Sequence, residues 1–158
     1  MDADHFRAFV VRPALLRLGL HSAAAETLLV GTALVESGGL RWLRQRGGGP
    51  ALGLFQIEPA THDDVWTNFL RYRDPLADKA AAFAAPWPSR HEQLITNPAY
   101  ACVVARLIYY RAPAPLPKAD DLVGLARYWK AHYNTALGAG TVPGFLKAYS
   151  RFVTRRRA

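Results

Sequence analysis

The sequence predicts a single all-α domain, and three observations support this prediction. Apolar residues recur at helical spacing along nearly the whole chain. Alternating runs long enough for a strand are missing, as are the Asn-Gly and Asp-Gly pairs typical of tight hairpins. The 158 residues fit one domain of ordinary size, without internal repeats or breaks in composition. We therefore expect one compact helical domain over residues 1–158, with a basic tail at about 151–158.

The first segment predicts two short helices. Phe6, Phe9 and Val10 have the spacing of an opening helix. Pro13 suits the first turn of a second helix, since proline has no N–H to offer an earlier carbonyl there. Gly19 is expected to end that helix.

A longer and more apolar helix follows. Ser22 is a suitable N-cap, and apolar residues then continue on most sides to about Ser37. A helix that is apolar all round is typically central and buried. Because Gly38-Gly39 stops the pattern, Glu36 is predicted in the last turn of a buried helix.

The middle of the chain has a weaker pattern. A glycine-rich turn at 47–50 predicts a loop. Thr61 is interpreted as the N-cap of another helix, with Asp63 and Asp64 stabilising its N-terminus. Residues 73–90 contain three prolines and are predicted to be irregular with one short helix.

The last third predicts three helices. Asn97 and Pro98 provide a cap and a first residue for a helix that continues to about Arg111. A proline-rich connector follows, then a helix over about Ala119–Asn134, then a last helix after Pro143.

The chain is strongly basic, with a net charge of +8 and a pI of about 10.1. Such a surface attracts polyanions, whether nucleic acid, anionic membranes or acidic cell-wall polymers. The consecutive Arg155, Arg156 and Arg157 are consistent with a solvated, frayed terminus or with an electrostatic tether, and the sequence leaves both open.

Cysteine content and hydropathy indicate whether disulfides, a signal peptide or a membrane span are expected. Cys102 is the one cysteine, so no intramolecular disulfide can form, and its apolar neighbours predict a buried thiol. The N-terminus is acidic and predicts no signal peptide. The longest apolar run is too short to span a bilayer, so no membrane span is expected.

Glu36 is the strongest candidate for chemistry. A carboxyl group at the end of a buried helix is partly removed from water, which raises its pKa toward the range useful for a general acid. Cleavage of a glycosidic bond needs such an acid to protonate the leaving oxygen. Taken alone, Glu36 fits a helix-end carboxylate paired to an arginine better than it fits a catalytic acid.

Three short motifs change that interpretation. They are Glu36-Ser37; the stretch from Pro50 to Thr61, which reads P-A-L-GLFQ-I-E-P-A-T; and His132-Tyr133-Asn134. In this order they resemble the signatures of soluble lytic transglycosylases and goose-type lysozymes, with Phe55 where methionine is common and His132 in place of alanine. The resemblance covers about residues 15–149. Beyond the three motifs, the wider sequence pattern of the chain is similar to that of transglycosylase-type proteins of tailed phages and prophages.

The resemblance implies a lysozyme-like fold and a role for each matching residue. Glu36 corresponds to the catalytic acid, and Ser37 to a serine beside it that bonds the helix end. Gln56 corresponds to a groove glutamine, Tyr133 to the tyrosine that holds the glutamate, and Asn134 to a neighbouring polar contact. Phe55 is expected to be a groove wall and partly core. Substrate contacts are thus predicted at Ser37, Phe55, Gln56, Tyr133 and Asn134.

The implied substrate is the peptidoglycan glycan strand, cut between N-acetylmuramic acid and N-acetylglucosamine. In the lytic transglycosylase reaction one glutamate acts first as acid and then as base, giving a 1,6-anhydromuramic product. A lysozyme-type hydrolase would need a second carboxylate, and Glu58, Asp63 and Asp64 remain candidates for it. Without a signal peptide, the expected location is a phage virion or the host cytoplasm before release, with action in the bacterial wall and virion or tail proteins as further candidate partners.

No cofactor or metal is predicted. The five histidines show no metal-ligand spacing, and no phosphate-binding glycine loop is present. Two other classes stay open: an inactive virion or wall-binding protein with the same fold, and a basic nucleic-acid binder. Retention of Glu36, Gln56 and Tyr133 favours the enzyme over the first, and nucleic-acid binding is not expected.

Overall fold

Helix α3 forms the centre of an all-α structure. The computed structural model describes residues 1–135 and 137–153, and within these ranges it contains no β-strand, only isolated bridges at Arg44–Leu52 and Leu52–Ile57. The α-helices are α1 (Ala3–Phe6), α2 (Arg12–Leu18), α3 (Ala23–Glu36), α4 (Pro59–Asp64), α5 (Asp74–Ala81), α6 (Arg90–Thr96), α7 (Pro98–Tyr110), α8 (Leu122–Trp129) and α9 (Val142–Val153). The predicted all-α class is confirmed.

The opening helices join into one segment. A π-helical stretch, Arg7–Val11, connects α1 to α2 without a break, where the sequence predicted two separate helices. Pro13 lies in the first turn of α2, and Gly19 ends it in a left-handed conformation with φ of 79°. Both of those features were predicted.

Helix α3 is buried over most of its length, from Ala25 to Leu34 with Thr27 partly exposed, and its central position was predicted. The Ser22 hydroxyl accepts a hydrogen bond from the Ala25 N–H at 3.0 Å, which caps its start. Gly31 in its middle leaves room for the ring of Phe145 on α9, and any side chain there would collide with that ring. This close approach of α9 makes α3 the element around which α7, α8 and α9 pack.

The N-terminal half of α3 is held by a buried carboxylate. Glu26 accepts hydrogen bonds from Arg7 at 3.2 Å and from Arg12 at 2.8 and 3.0 Å, and it lies 2.9 Å from His21. Burial alone raises the pKa of Glu26, but the hydrogen bonds from Arg12, His21 and Arg7 outweigh it and lower the pKa to about 2. Arg7 also donates to the Tyr149 hydroxyl, so this cluster ties the first segment to α3 and α9.

The middle segment differs from its prediction. Helix α4 begins at Pro59 and not after Thr61, because proline already supplies a helical φ and no required donor at the first position. It continues through a π-helical stretch, Val65–Phe69, and a short 3-10 turn. Asp63 and Asp64 therefore lie beyond the first turn, and their predicted role at a helix N-terminus is wrong. One short helix, α5, forms within residues 73–90 as predicted, whereas α6 was not predicted.

The last third follows the sequence closely. Asn97 caps α7 through the Tyr100 N–H, with Pro98 as first residue. Helix α8 begins after Asp121, a few residues later than predicted, and passes into a π-helical stretch, Lys130–Asn134. Helix α9 covers the predicted final helix.

Two further expectations concern the chain as a whole. Cys102 is buried in α7, as predicted. Among the described residues, no helix combines the length and apolarity needed to cross a bilayer. The three consecutive tail arginines, Arg155 to Arg157, lie outside the described residues.

Candidate active site

An open groove of about 820 Å³ lies between the end of α3 and the end of α8. One side is formed by α3 and the loop that follows it, and the other by the π-helical stretch and the turn after it. The floor includes Ile108 of α7. Polar or charged side chains around the groove are those of Glu36, Arg44, Gln45, Arg46, Gln56, Glu58, Thr61, Tyr133, Asn134 and Thr135.

Glu36 faces this groove from the last residue of α3. Its Oε1 accepts a hydrogen bond from the buried Trp129 indole N–H at 2.9 Å. Burial raises the pKa of Glu36 from 4.5 to about 7, although hydrogen bonds from Trp129 and Asn134 act in the opposite direction. No salt bridge to Glu36 occurs among the described residues. The carboxyl group is therefore partly protonated near neutral pH and able to donate a proton.

Tyr133 lies beside Glu36 but is bonded elsewhere. Its hydroxyl donates to the main-chain oxygen of Phe55 at 2.6 Å, and the nearby Glu36 charge contributes to raising the pKa of Tyr133 well above its usual value, after burial. The hydrogen bond to Glu36 that was expected from Tyr133 is donated by Trp129. Tyr133 instead fixes the 55–56 main chain across the groove.

Ser37 does not reach the groove, so its predicted substrate contact is wrong. The side chain is fully buried, its Oγ donates to the Ala33 carbonyl at 2.6 Å, and it accepts the Leu40 N–H at 2.9 Å. These bonds join the last turn of α3 to the turn that follows it. Ser37 thus ends α3 and turns the chain away, which is the helix-end role that the resemblance implied.

Phe55 also differs from expectation, because its side chain belongs wholly to the core. It has 0% exposure, does not line the groove, and packs against the Phe6 ring at a centroid distance of 5.9 Å. A phenyl ring gains more from burial than from the wet groove. Its main-chain oxygen contributes to the site through Tyr133.

Gln56 lines the groove in a backbone conformation that costs energy. Its φ is 46°, and its Nε2 donates to the Gly53 carbonyl at 2.9 Å. Thr135, on the opposite side, also has a positive φ, of 67°. Non-glycine residues in this region are strained by about 1–3 kcal/mol, and such strain clusters at functional sites.

Asn134 is held by a lysine behind it. Lys130 Nζ donates to Asn134 Oδ1 at 2.7 Å and to the Gly138 carbonyl at 2.8 Å. With Oδ1 accepting from Lys130, the Nδ2 group is the donor left for Glu36. Side chains at Gly138 or Gly140 would collide with Asn134, so the glycines allow the turn to close over it.

Of the three other candidate carboxylates, one lines the groove and two do not. Glu58 is exposed and lines the groove. Asp63 bonds to His62 and His91, and Asp64 bonds to Arg111 and Asn68, and neither aspartate lines the groove. Glu58 is consequently the second carboxylate available to the groove.

The loop after α3 gives the groove a basic rim. Arg44 and Arg46 line it together with Trp42, a residue that is 43% exposed. The Arg46 guanidinium lies 5.3 Å from the Trp42 ring centroid, and that of Arg41 lies 5.7 Å away. The rim combines positive charge with an exposed aromatic face.

The structure therefore brings Glu36, Gln56, Tyr133 and Asn134 to one groove and leaves Ser37 and the Phe55 side chain in the interior. Sequence reasoning missed Trp129, which lies outside the three motifs. An indole N–H seeks a partner when buried, but the sequence does not show which one. No protein-family model, curated protein or solved structure matches the chain.

Proposed function

We propose that this protein cleaves the β-1,4 bond of peptidoglycan between N-acetylmuramic acid and N-acetylglucosamine, as a lytic transglycosylase with Glu36 as acid and base. The observation that carries the proposal is the Glu36 carboxyl group, whose pKa is raised to about 7 at an open groove. Three separate sequence motifs contribute residues to that groove, which supports the resemblance from which the substrate is taken.

In the first step Glu36 protonates the leaving oxygen. The Trp129 N–H occupies Oε1, so the proton is carried on Oε2. As the bond between C1 of the muramic residue and the glucosamine oxygen breaks, that proton moves to the oxygen. The 2-acetamido oxygen of the substrate supports the electron-poor C1.

In the second step the same carboxylate acts as base. It removes the proton from the C6 hydroxyl of the muramic residue, and that oxygen bonds to C1 as the acetamido oxygen leaves. The product is the 1,6-anhydro sugar, and Glu36 is protonated again. A pKa near the working pH suits a group that must both give and take a proton.

The rest of the groove suits a long, partly anionic polymer. Gln56 and Asn134 offer amide groups beside the acid, and an amide can bond to sugar hydroxyl or peptide groups. Arg44 and Arg46 on the rim complement the carboxylates of peptidoglycan stem peptides. The same positive charge attracts nucleic acid, but it lies on the rim of a groove that contains a partly buried acid, a feature that DNA binding does not need.

A hydrolase is the second candidate, because Glu58 lines the groove. As a carboxylate it would activate a water molecule for attack on C1, while Glu36 keeps its role as acid. An inactive wall-binding protein of a virion is the third. The proposed context is a phage or prophage protein that acts on the bacterial wall during infection or lysis.

Mass spectrometry of the soluble products from purified peptidoglycan distinguishes these candidates. The enzymes compared are the wild type, Glu36→Gln and Glu58→Gln, with circular dichroism to confirm that each variant is folded. We expect 1,6-anhydromuramic ends from the wild type and Glu58→Gln, and no products from Glu36→Gln.

Reducing ends, lost in both variants, would instead establish a hydrolase with Glu58 as the base. Absence of products from several wall types would overturn the enzymatic proposal, and retained binding to sacculi would then favour the wall-binding role.

A further inference from the structure

A second cluster of polar side chains lies away from the groove, where α4 meets the start of α6. It consists of His62 and Asp63 on α4 and His91 on α6. None of the three lines the groove. The cluster therefore has no part in the proposed glycan chemistry.

The three side chains converge on one point. His62 Nδ1 lies 2.8 Å from Asp63 Oδ1, and His91 Nε2 lies 2.7 Å from the same oxygen. All three atoms lie within 4.8 Å of one another. Two imidazole nitrogens and one carboxylate oxygen are thus aimed at a common volume.

A buried network behind the cluster fixes the His62 ring. Its second nitrogen, Nε2, lies 2.8 Å from the Tyr100 hydroxyl, which also accepts the Trp66 indole N–H at 3.0 Å. His62 is 4% exposed and Tyr100 is fully buried. Histidine ligands to metals usually have such a partner on the other nitrogen, which orients the ring and sets its tautomer.

We propose that His62 Nδ1, Asp63 and His91 Nε2 bind one divalent transition-metal cation of the zinc type. Imidazole nitrogens favour Zn²⁺, Co²⁺ and Ni²⁺, whereas Mg²⁺ and Ca²⁺ prefer sites made of oxygen. Two histidines and one carboxylate form a three-ligand set that leaves a fourth tetrahedral position to water.

Small movements adapt the cluster to such an ion. Bonds of about 2.0–2.1 Å place tetrahedral ligand atoms roughly 3.3 Å apart, so Asp63 Oδ1 must retreat by about half an ångström from each nitrogen. The Asp63 side chain is 56% exposed and that of His91 is 40% exposed, so both can shift while the buried His62 stays fixed. His62 then carries its proton on Nε2 and donates it to Tyr100.

The local charge is mixed. Asp63 supplies one negative charge to the ion, and the Arg90 guanidinium, 4.2 Å from the Trp66 ring centroid, is a positive charge near the site. Exposure of two ligands keeps the site open to solvent, so the ion can exchange. Binding would join α4 to α6 and stabilise the folded state by mass action.

Sequence spacing could not predict this site. His62 and Asp63 are adjacent, and helix neighbours do not normally face each other. His91 lies 29 residues further along, on a helix that was not predicted. The expectation of no metal rested on spacing alone.

Calorimetric titration of the whole protein with ZnCl₂, after removal of any affinity tag, tests the proposal. The variants are His91→Ala and Asp63→Asn, and His5→Ala is the matched control because His5 is an exposed histidine on α1. We expect one equivalent bound by the wild type and His5→Ala, with affinity at least about tenfold weaker in the other two. Tyr100→Phe removes the partner of His62 and is expected to weaken binding by about 10–100-fold.

Thermal unfolding adds an independent readout. At a free Zn²⁺ concentration 100 times the Kd, the wild type should melt about 5–10 °C higher, while MgCl₂ gives no shift and His91→Ala responds weakly. Equal Zn²⁺ affinity in the wild type and His91→Ala, or Zn²⁺ binding that leaves the melting temperature unchanged, would overturn the site.

Discussion

Helix α3 carries a glutamate near each end, and the two have opposite electrostatics. Glu26 is surrounded by Arg7, Arg12 and His21, and its pKa is lowered to about 2. Glu36 is held by a neutral indole N–H and an amide, and burial raises its pKa to about 7. Glu26 is buried and Glu36 is partly buried, and burial acts to raise the pKa of both, so burial alone does not explain their opposite shifts.

The difference lies in what replaces the lost water. At Glu26 the hydrogen bonds from Arg12, His21 and Arg7 outweigh the effect of burial and keep the carboxylate in its charged form. Neutral donors compensate a buried carboxylate only in part and leave the proton bound near neutral pH. Glu26 in the first half of α3 thus forms stabilising ion pairs, whereas Glu36 at its end can donate a proton, because the two residues have different neighbours.

The largest expected effect is on activity. Glu36→Gln should lower kcat on peptidoglycan by about 10²–10⁴-fold, because the amide cannot donate the proton. Glu26→Gln is the matched carboxyl-to-amide control on the same helix and should retain activity per folded molecule. The measurement is the rate of soluble product release, and comparable losses in both variants would contradict the division of roles.

The loss of folding stability should be larger for Glu26→Gln than for Glu36→Gln. Glu26→Gln removes the charge that compensates Arg7 and Arg12, and we expect the free energy of unfolding to fall by about 2–3 kcal/mol at pH 7. This lies below the range for fully buried pairs, since the Arg12 side chain is 49% exposed. Urea denaturation measures it.

The Glu26 contribution also has its own pH dependence. It is present above about pH 4.5 and is lost as the pH falls toward about 2, the lowered pKa. The difference between wild type and Glu26→Gln should therefore shrink in acid. A difference that stayed constant from pH 7 to pH 3 would argue against the ion cluster as its source.

Glu36 should affect stability with the opposite sign. Below about pH 4.5 the carboxyl group is protonated in both the folded and the unfolded chain. Between about pH 4.5 and 7 it ionises only in the unfolded chain, so the folded state loses stability over that range. Relative to Glu36→Gln, the wild type should lose about 3 kcal/mol between pH 4 and pH 8. Paired denaturation curves at the two pH values check this, and parallel stability profiles would exclude a raised pKa.

The smallest expected effect concerns Trp129. Trp129→Phe removes the hydrogen bond that holds the Glu36 pKa down, so the pKa should rise by roughly half to one unit, which corresponds to about 1 kcal/mol. The limb of the pH–rate profile that falls at high pH should move upward by that amount. A uniform loss of rate without a shift would assign Trp129 a purely structural role.

The sequence predicted the ends of the helices better than the contacts between them. Ser22, Gly19, Asn97 and Pro98 act only on residues a few positions away in sequence, and they were placed correctly. Helix α4 was misplaced because Thr61 is a plausible cap in isolation, and only the folded chain shows that Pro59 has already begun the helix.

The site was predictable to the extent that motifs carry it. Glu36, Gln56, Tyr133 and Asn134 share the groove, whereas Ser37 and Phe55 lie within the same motifs and serve the interior. Motif membership does not distinguish a residue that faces the groove from its neighbour that supports it. Trp129 and Glu26 lay outside every motif, because their roles depend on partners distant in sequence.

The most direct test is a titration of the glutamate side-chain carboxyl groups by ¹³C NMR, with Glu36→Gln and Glu26→Gln to assign the two signals. The account predicts that the Glu36 signal titrates near pH 7 and that the Glu26 signal stays in its charged form down to about pH 2–3. A Glu36 signal that titrates near pH 4.5, like an exposed carboxylate, would remove the proton donor from the groove and contradict the central claim.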